Sequence, residues 1–174
     1  MTKMSIVSLI PNEGEVLTLQ RYQNMLDIAA NMVIRNNVRH LYSGGLGWID
    51  HIVVSLGLLG LVVPENITLI LPDTLSNRQP GYTLRNSLDN FHRLFSKCIQ
   101  RDTVSEIALL QERGAKILYS PTYLDSLSDV LSFEDVLLVY NSTQLTSRPT
   151  APPENGVGPR EFYVGVDKKG LSSP

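Results

Sequence analysis

The chain has 174 residues and carries 15 Lys and Arg against 17 Asp and Glu, a net charge of -2 that leaves no cationic excess for a nucleic-acid backbone. Its length is typical of one domain with a sizeable core, and its single cysteine excludes an intramolecular disulfide framework and a cysteine-rich zinc site. No apolar stretch approaches the roughly 20 residues of a membrane span, and the first apolar run is too short for a signal peptide. These features favour a soluble cytoplasmic domain that binds no membrane and for which nucleic acid is a poor partner.

The N-terminal part of the chain alternates short apolar runs with segments of helical spacing. A strand is predicted at 5–10, where a β-branched run is closed by Pro11, and a helix follows it. One face of that helix is apolar and comprises Tyr22, Met25, Leu26, Ala29, Met32 and Val33. A second strand is predicted at 38–42. The segment 48–61 is apolar nearly all round, which predicts a helix buried against a sheet.

The same alternation continues to residue 140. Further strands are predicted at 67–71, 115–119 and 136–140, and further helices at 84–95, 103–114 and 121–131. Thr103 and Glu106 have the spacing of a capping box, which accounts for Glu106. Strands that are apolar throughout and alternate with helices are typical of parallel sheets. The predicted fold is therefore α/β, a Rossmann-like three-layer sandwich of about five mostly parallel strands with helices on both faces.

The composition changes after Asn141, because the last 34 residues hold half of the prolines in the chain. We predict a Rossmann-like domain over 1–146 and a Pro/Gly-rich C-terminal appendage over 147–174. An edge strand is predicted at 161–166 within that appendage.

The most informative feature is a glycine-rich loop between a predicted strand and a predicted helix. Ser43, Gly44, Gly45 and Gly47 lie in this loop. Glycines there let a ligand approach the backbone, and the N–H groups at the start of the following helix favour a phosphate. The spacing matches neither the dinucleotide fingerprint nor a P-loop. A tight turn without a ligand is the alternative interpretation.

Several polar and aromatic side chains lie near this loop or on a later helix. Asp50 is predicted to hydrogen-bond a ribose hydroxyl or to act as an acid or base, although the helix dipole alone explains a carboxylate in a first turn. Trp48 is a candidate for stacking on a base, or else a packing residue. His92 is predicted to point away from the core toward the ligand crevice, or to lie on an exposed helix face. Cys98 is predicted to be an inert core thiol, and the three histidines are too scattered for a metal site.

A family resemblance rests on the order of several short motifs over roughly 38–140. The stretch SGGLGWIDHIVVSLGLLG at 43–60, followed by ITLILP, resembles the glycine loop, buried helix and next strand of the SLOG superfamily of Rossmann-like domains. One branch carries Ser-Gly-Gly-x-x-Trp-x-Asp-His, an Asn-x-x-His-x-x-Phe-Ser helix, a Ser-x-Glu-Ile helix and a Gly-Ala strand. This chain has a comparable series, with Asn90 to Ser96, Ser105 to Ile107 and Gly114-Ala115. The superfamily includes the LOG phosphoribohydrolases and DNA-processing protein A.

The resemblance implies a phosphate-facing loop with Asp50 and His51 beside the ligand and His92 on a nearby helix. Many members also have a second glycine motif after the fifth strand, which in the phosphoribohydrolases supplies the catalytic glutamate. Here that position holds Asn141, Ser142 and Thr143, which offer hydrogen bonds but no such glutamate. The predicted ligand-binding residues are Ser43, Gly44, Gly45, Gly47, Trp48, Asp50, His51, His92, Asn141, Ser142 and Thr143. No metal and no cofactor is predicted.

Four functions are compatible with these features. The first is binding of a nucleotide or nucleotide-derived ligand by a sensor, carrier or sequestering protein, with binding lost in Gly45→Val while folding survives. The second is cleavage of an N-glycosidic bond with Asp50 as the catalytic residue. The third is a degenerate fold member that acts through a protein partner or as a homo-oligomer. A DNA-processing role ranks fourth, because the chain lacks a basic excess.

Overall fold

The computed structural model describes residues 2–8, 17–72, 84–120, 136–141, 160–167 and 170–172. Its strands are β1 (Thr2–Ser8), β2 (Val38–Ser43), β3 (Ile67–Pro72), β4 (Lys116–Ser120), β5 (Val136–Asn141), β6 (Arg160–Asp167) and β7 (Gly170–Ser172). Its helices are α1 (Leu19–Arg35), α2 (Trp48–Leu58), α3 (Leu84–Ile99) and α4 (Thr103–Glu112), with a short 3₁₀ helix at Pro64–Asn66. The helix predicted at 121–131 and the domain boundary predicted at 146 lie outside the described residues.

The described strands form one sheet in the order β4-β3-β2-β1-β5-β6-β7. Every neighbouring pair is parallel except β6 and β7, which are antiparallel. The Rossmann-like α/β class predicted from the sequence is therefore confirmed. The strand predicted at 161–166 corresponds to β6, which lies between β5 and β7 and is not at the edge of the sheet.

The four described helices lie together on one side of the sheet. The connections from β1 to β2, β3 and β4 all step toward the same edge, and right-handed crossovers place their helices on one face. In agreement, α1 contacts α2, α2 contacts α4, and α4 contacts α3. The connection from β4 to β5 runs in the opposite direction across the sheet and comprises residues 121–135. These residues include the helix predicted for the second face, and they lie outside the described residues.

Helix α1 illustrates how the sequence determines a helix and its buried face. Thr18 is the N-cap, and its Oγ1 accepts a hydrogen bond from the Arg21 N–H at 3.1 Å. The helix ends where Asn37 adopts a left-handed backbone, a conformation that asparagine tolerates well. The six residues predicted for its apolar face are its buried residues, which confirms that prediction.

Helix α2 is buried on nearly all sides, as its uniform hydrophobicity predicts. It ends at Leu58, three residues before the predicted end, and Leu59 and Leu61 are exposed. The thiol of Cys98 is exposed on α3, so the prediction of a core thiol is wrong. No helix in the described part of the chain is long and apolar enough to cross a membrane.

Gly57 allows α2 to pack closely on β3 and α4. A Cβ atom at this position would collide with Ile67 Cδ1 and would lie 2.7 Å from Leu110 Cδ1, and both neighbours are fully buried. Gly57→Ala gains about 1 kcal/mol of helix propensity but overpacks the core, and we expect a net loss of about 1 kcal/mol in the free energy of unfolding. Chemical denaturation measures this loss.

Leu110→Ala provides the matched background for Gly57→Ala. It removes one of the two colliding side chains, so Gly57→Ala should cost less there than in the wild type. Equal costs in the two backgrounds would show that the contact with Leu110 is not responsible.

Candidate functional site

The glycine-rich loop lies at the carboxyl edge of the parallel sheet. Strand β2 ends at Ser43, and α2 begins at Trp48 with Gly47 as its N-cap in extended conformation. Strand β2 lies beside β1, and β1 lies beside β5 at the point where the connections change direction. Ligands of open α/β sheets bind at the carboxyl ends of strands near such a point. The loop therefore occupies the part of the fold where a ligand site is expected.

The carboxyl group of Asp50 lies against this loop. Its Oδ2 accepts hydrogen bonds from the Leu46 N–H at 3.2 Å and the Gly47 N–H at 3.0 Å. Asp50 is the third residue of α2, so this arrangement is the acidic half of a capping box in which the N-cap is glycine. Two N–H groups of the loop that is predicted to face a phosphate are therefore already hydrogen-bonded to the protein's own carboxyl group.

Ser43 connects Asp50 to strand β1. The buried Ser43 Oγ lies 2.6 Å from the Ile6 carbonyl oxygen and 3.0 Å from Asp50 Oδ1. A hydroxyl has one proton, and the carbonyl can only accept. Both short contacts are fully satisfied when Asp50 is protonated and donates to Ser43, which in turn donates to Ile6. Burial raises the pKa of Asp50, which favours the protonated form, although hydrogen bonds from the Gly47 and Leu46 N–H groups oppose this rise.

His92 holds the other side of the loop. Its Nε2 lies 2.6 Å from the Gly45 carbonyl oxygen and must donate to it, since a carbonyl has no proton. Burial lowers the pKa of His92 to about 4, so the ring is neutral near pH 7 and Nδ1 accepts from the Thr103 hydroxyl at 2.8 Å. Because the Thr103 hydroxyl gives its only proton to His92, the Ser96 hydroxyl is the donor in its contact with Thr103 Oγ1. His92 contacts the glycine-rich loop but is buried, so the prediction that it points away from the core is wrong.

His51 is also buried and belongs to an ion-pair network. Its Nε2 donates to Glu106 Oε1 at 2.9 Å, and Arg101 Nε donates to the same oxygen at 3.0 Å. Burial lowers the pKa of His51, which favours this neutral form, and its Nδ1 has no hydrogen-bond partner among the described residues. The capping role predicted for Glu106 is wrong, because the N-cap of α4 is Asp102, whose carboxylate accepts from the Ser105 N–H.

The network extends from Arg101 to helix α1. Gln100 has a left-handed backbone at the end of α3, and the chain turns there toward α4. The guanidinium of Arg101 donates to Ser55 Oγ at 2.7 Å and to the Tyr22 hydroxyl at 3.3 Å. The Tyr22 hydroxyl donates to the His51 carbonyl oxygen at 3.2 Å, and burial raises the pKa of Tyr22 to about 12. Arg101 therefore joins α1, α2 and α4 through polar contacts.

The sequence alone does not predict this network, although polar residues within the apolar helix α2 indicate that some network exists. His51 and Ser55 lie one turn apart in a helix that is otherwise apolar after Asp50, and buried polar side chains need partners. The partner residues come from α1, from the turn between α3 and α4, and from α4 itself. No local pattern indicates which of their polar residues approach α2.

The structure places the remaining predicted site residues as follows. Trp48 is buried and packs against Tyr22, with ring centroids 6.3 Å apart, which favours the packing interpretation over base stacking. A Cβ at Gly45 would lie 2.6 Å from the buried Leu71 Cδ2, so Gly45→Val would disturb the core and is not a clean test of ligand binding. Asn141 ends β5 at the same edge of the sheet. Its side chain, Ser142 and Thr143 lie outside the described residues.

Comparison with known proteins identifies no relative, since no family model, curated protein or solved structure gives a significant match. The resemblance to the SLOG superfamily therefore stays a prediction. What the structure defines is a Rossmann-like α/β domain whose glycine-rich loop is fixed by Asp50 on one side and by His92 on the other.

Proposed function

We propose that the chain binds a nucleotide or a nucleotide-derived ligand at the glycine-rich loop, as a sensor, carrier or sequestering protein. The supporting observation is that the loop lies at the carboxyl edge of the sheet, where open α/β sheets bind ligands, and is hydrogen-bonded by Asp50 and His92. A loop whose shape is fixed in advance loses little conformational entropy on binding, which favours affinity. In this proposal the chain is a cytoplasmic member of the SLOG superfamily.

The contacts of Asp50 favour binding over turnover. A general acid or base needs an oxygen within hydrogen-bond reach of the substrate. Here Oδ1 is engaged with Ser43, and Oδ2 is engaged with Leu46 and Gly47. We therefore assign Asp50 a role in positioning the loop, and we place the phosphate of the ligand at other N–H groups of the first turn of α2.

The proposal also includes a helical layer on the second face of the sheet, as the sequence predicts. The return from β4 to β5 crosses the sheet in the direction opposite to the earlier connections. A right-handed crossover would place the helix predicted at 121–131 on the face away from α1 and α2. This would complete the three-layer arrangement.

A ligand panel tests the proposed function. We expect one class among nucleoside mono-, di- and triphosphates, NAD, ADP-ribose and cyclic nucleotides to raise the melting temperature. A ligand at about 100 times its dissociation constant adds about 2.7 kcal/mol of stability, which for a domain of this size is a shift of several degrees. A flat panel would contradict the proposal.

Amide chemical shifts then locate the site on the chain. We expect the bound ligand to move the signals of residues 43–50 and to leave those of Gln111 to Gly114, at the opposite end of the sheet, in place. Shifts confined to another region would overturn the assignment to the loop. Release of free base during the titration would instead favour the N-glycosidase function.

A further inference from the structure

The glycine-rich loop is wrapped around the carboxyl group of Asp50. The Leu46 and Gly47 N–H groups donate to its Oδ2, and a hydrogen bond from the Gly44 backbone also acts on this carboxyl group. A Cβ atom at Gly44 would lie 3.2 Å from the same Oδ2. Asp50 is in the first turn of α2, where the proposed function places the phosphate of the ligand. A phosphate bound there would lie within about one helical turn of the Asp50 carboxyl group.

The charge of this carboxyl group therefore decides whether the loop attracts or repels an anion. Ser43 Oγ lies 2.6 Å from the Ile6 carbonyl oxygen and 3.0 Å from Asp50 Oδ1, and it has one proton to donate. If Asp50 were ionised, one of these two oxygen–oxygen contacts would have no proton. The neutral carboxyl group supplies the missing proton, so the buried surroundings of Asp50 are complementary to its protonated form.

The other titratable and charged groups near the first two turns of α2 have partners of their own. They are the Tyr22 hydroxyl from α1, the His51 ring on α2, the His92 ring from α3, the Arg101 guanidinium from the turn after α3, and the Glu106 carboxylate from α4. In the described part of the chain none of them hydrogen-bonds to Asp50, and β1 and β2 contribute only the Ile6 carbonyl and the Ser43 hydroxyl to this chain of hydrogen bonds.

These groups keep one protonation state between pH 6 and pH 8. Burial raises the pKa of Tyr22 to about 12, and it lowers the pKa of His51 and that of His92. The contacts of Glu106 with His51 outweigh its burial, so its pKa is lowered as well. A change in the charge of the loop within this range is therefore expected to come from Asp50.

We propose that the glycine-rich loop binds an anionic ligand far more tightly when Asp50 carries a proton, so that ionisation of Asp50 releases the ligand. The proton comes from solvent and returns to it. Because the bound anion disfavours a second negative charge nearby, ligand and proton each strengthen the binding of the other. Affinity is highest below the pKa of Asp50 in the folded chain and falls as the pH rises through it, by up to about tenfold per pH unit. This inference rests on the proposed function, which places an anion at the loop.

Sulfate is a suitable probe, because it stays a dianion over this range and does not titrate itself. Amide signals of residues 43–50 in the full chain report its binding, with chloride at the same ionic strength as the reference. From pH 6 to pH 8 we expect the dissociation constant of the wild type to rise by at least about tenfold. Asp50→Asn, which does not titrate, should bind sulfate with the same affinity at every pH. Asp27→Asn is the matched control, since it removes a carboxylate from an exposed position on α1, and it should behave like the wild type.

The reciprocal effect provides a second measurement. Sulfate should raise the pH at which the carboxyl carbon signal of Asp50 titrates. Wild-type sulfate binding that does not change with pH, that changes equally in Asp50→Asn, or that is absent from residues 43–50 in both proteins would overturn the proposal. If nucleotides still bound to these residues, the proposed function would stand while this inference failed. A flat nucleotide panel, in contrast, contradicts the proposed function itself.

Discussion

Asp50→Ala is expected to lower the free energy of unfolding by about 3 kcal/mol at neutral pH, whereas Asp50→Asn should change it by less than about 1 kcal/mol. Alanine removes the acceptor for the Leu46 and Gly47 N–H groups and the partner of Ser43. Asparagine keeps all three contacts, because its carbonyl oxygen accepts from the loop and its amide donates to Ser43. Denaturant unfolding of the three proteins at the same pH measures both differences.

The pH dependence of the same proteins tests the protonation of Asp50. Its pKa in the folded chain lies above its ordinary value of 3.8, so the folded state binds this proton more tightly than the unfolded state. The contribution of Asp50 to stability therefore falls as the pH rises from that value through the folded pKa. In Asp50→Asn, which has no titrating carboxyl group at this position, this decrease in the free energy of unfolding should be absent. If Asp50→Asn were as destabilising as Asp50→Ala, the ionised carboxylate would be the form that holds the loop.

Acidification from pH 7 to pH 5 is expected to lower the free energy of unfolding by about 2 kcal/mol through His92 alone. The pKa of His92 is about 4 in the folded chain, against an ordinary value of 6.5, so the unfolded chain binds more protons in this range. Stability is therefore fully present above pH 6.5 and is lost as the pH falls toward 4. Burial of His51 acts in the same direction, and the lowered pKa of Glu106 adds a further loss at lower pH.

His92→Gln separates the contribution of this histidine from the others. A glutamine amide can donate to the Gly45 carbonyl and accept from the Thr103 hydroxyl without titrating. We expect the variant to lose much of the slope between pH 7 and pH 5 and to keep the part due to His51. His40→Gln, at a half-buried position on β2, is the control for the substitution itself. An unchanged slope in His92→Gln would contradict the assignment.

Local sequence patterns account for the secondary structure and for the position of the loop. Helical spacing identifies the buried face of α1, and uniform hydrophobicity identifies α2 as a buried helix. Glycines after a β-branched run locate the turn at the carboxyl edge. Each of these features depends on residues close together in the chain, which is why one sequence is enough to find them.

The directions of the polar side chains could not be predicted in the same way. His92 lies on α3, 47 residues after the Gly45 carbonyl to which it donates. Glu106 satisfies a capping pattern, yet its carboxylate pairs with His51 and Arg101 once α4 packs against α2. Such contacts depend on how the helices pack, because a buried polar group forms hydrogen bonds with the residues that packing brings close to it.

The central position of β1 has a consequence for the order of folding. Its pairing with β2 joins segments that are close in sequence, since Ser5 lies opposite Tyr42, whereas its pairing with β5 joins Met4 to Val136. During synthesis, β1, β2 and β3 with their helices can therefore assemble before β5 has been synthesised, and the side of β1 that later pairs with β5 is then unpaired. Closing so long a loop is slow. We expect β5 to dock late in folding, and amide exchange along β1 to slow in two stages, first with the arrival of β2 and then with that of β5.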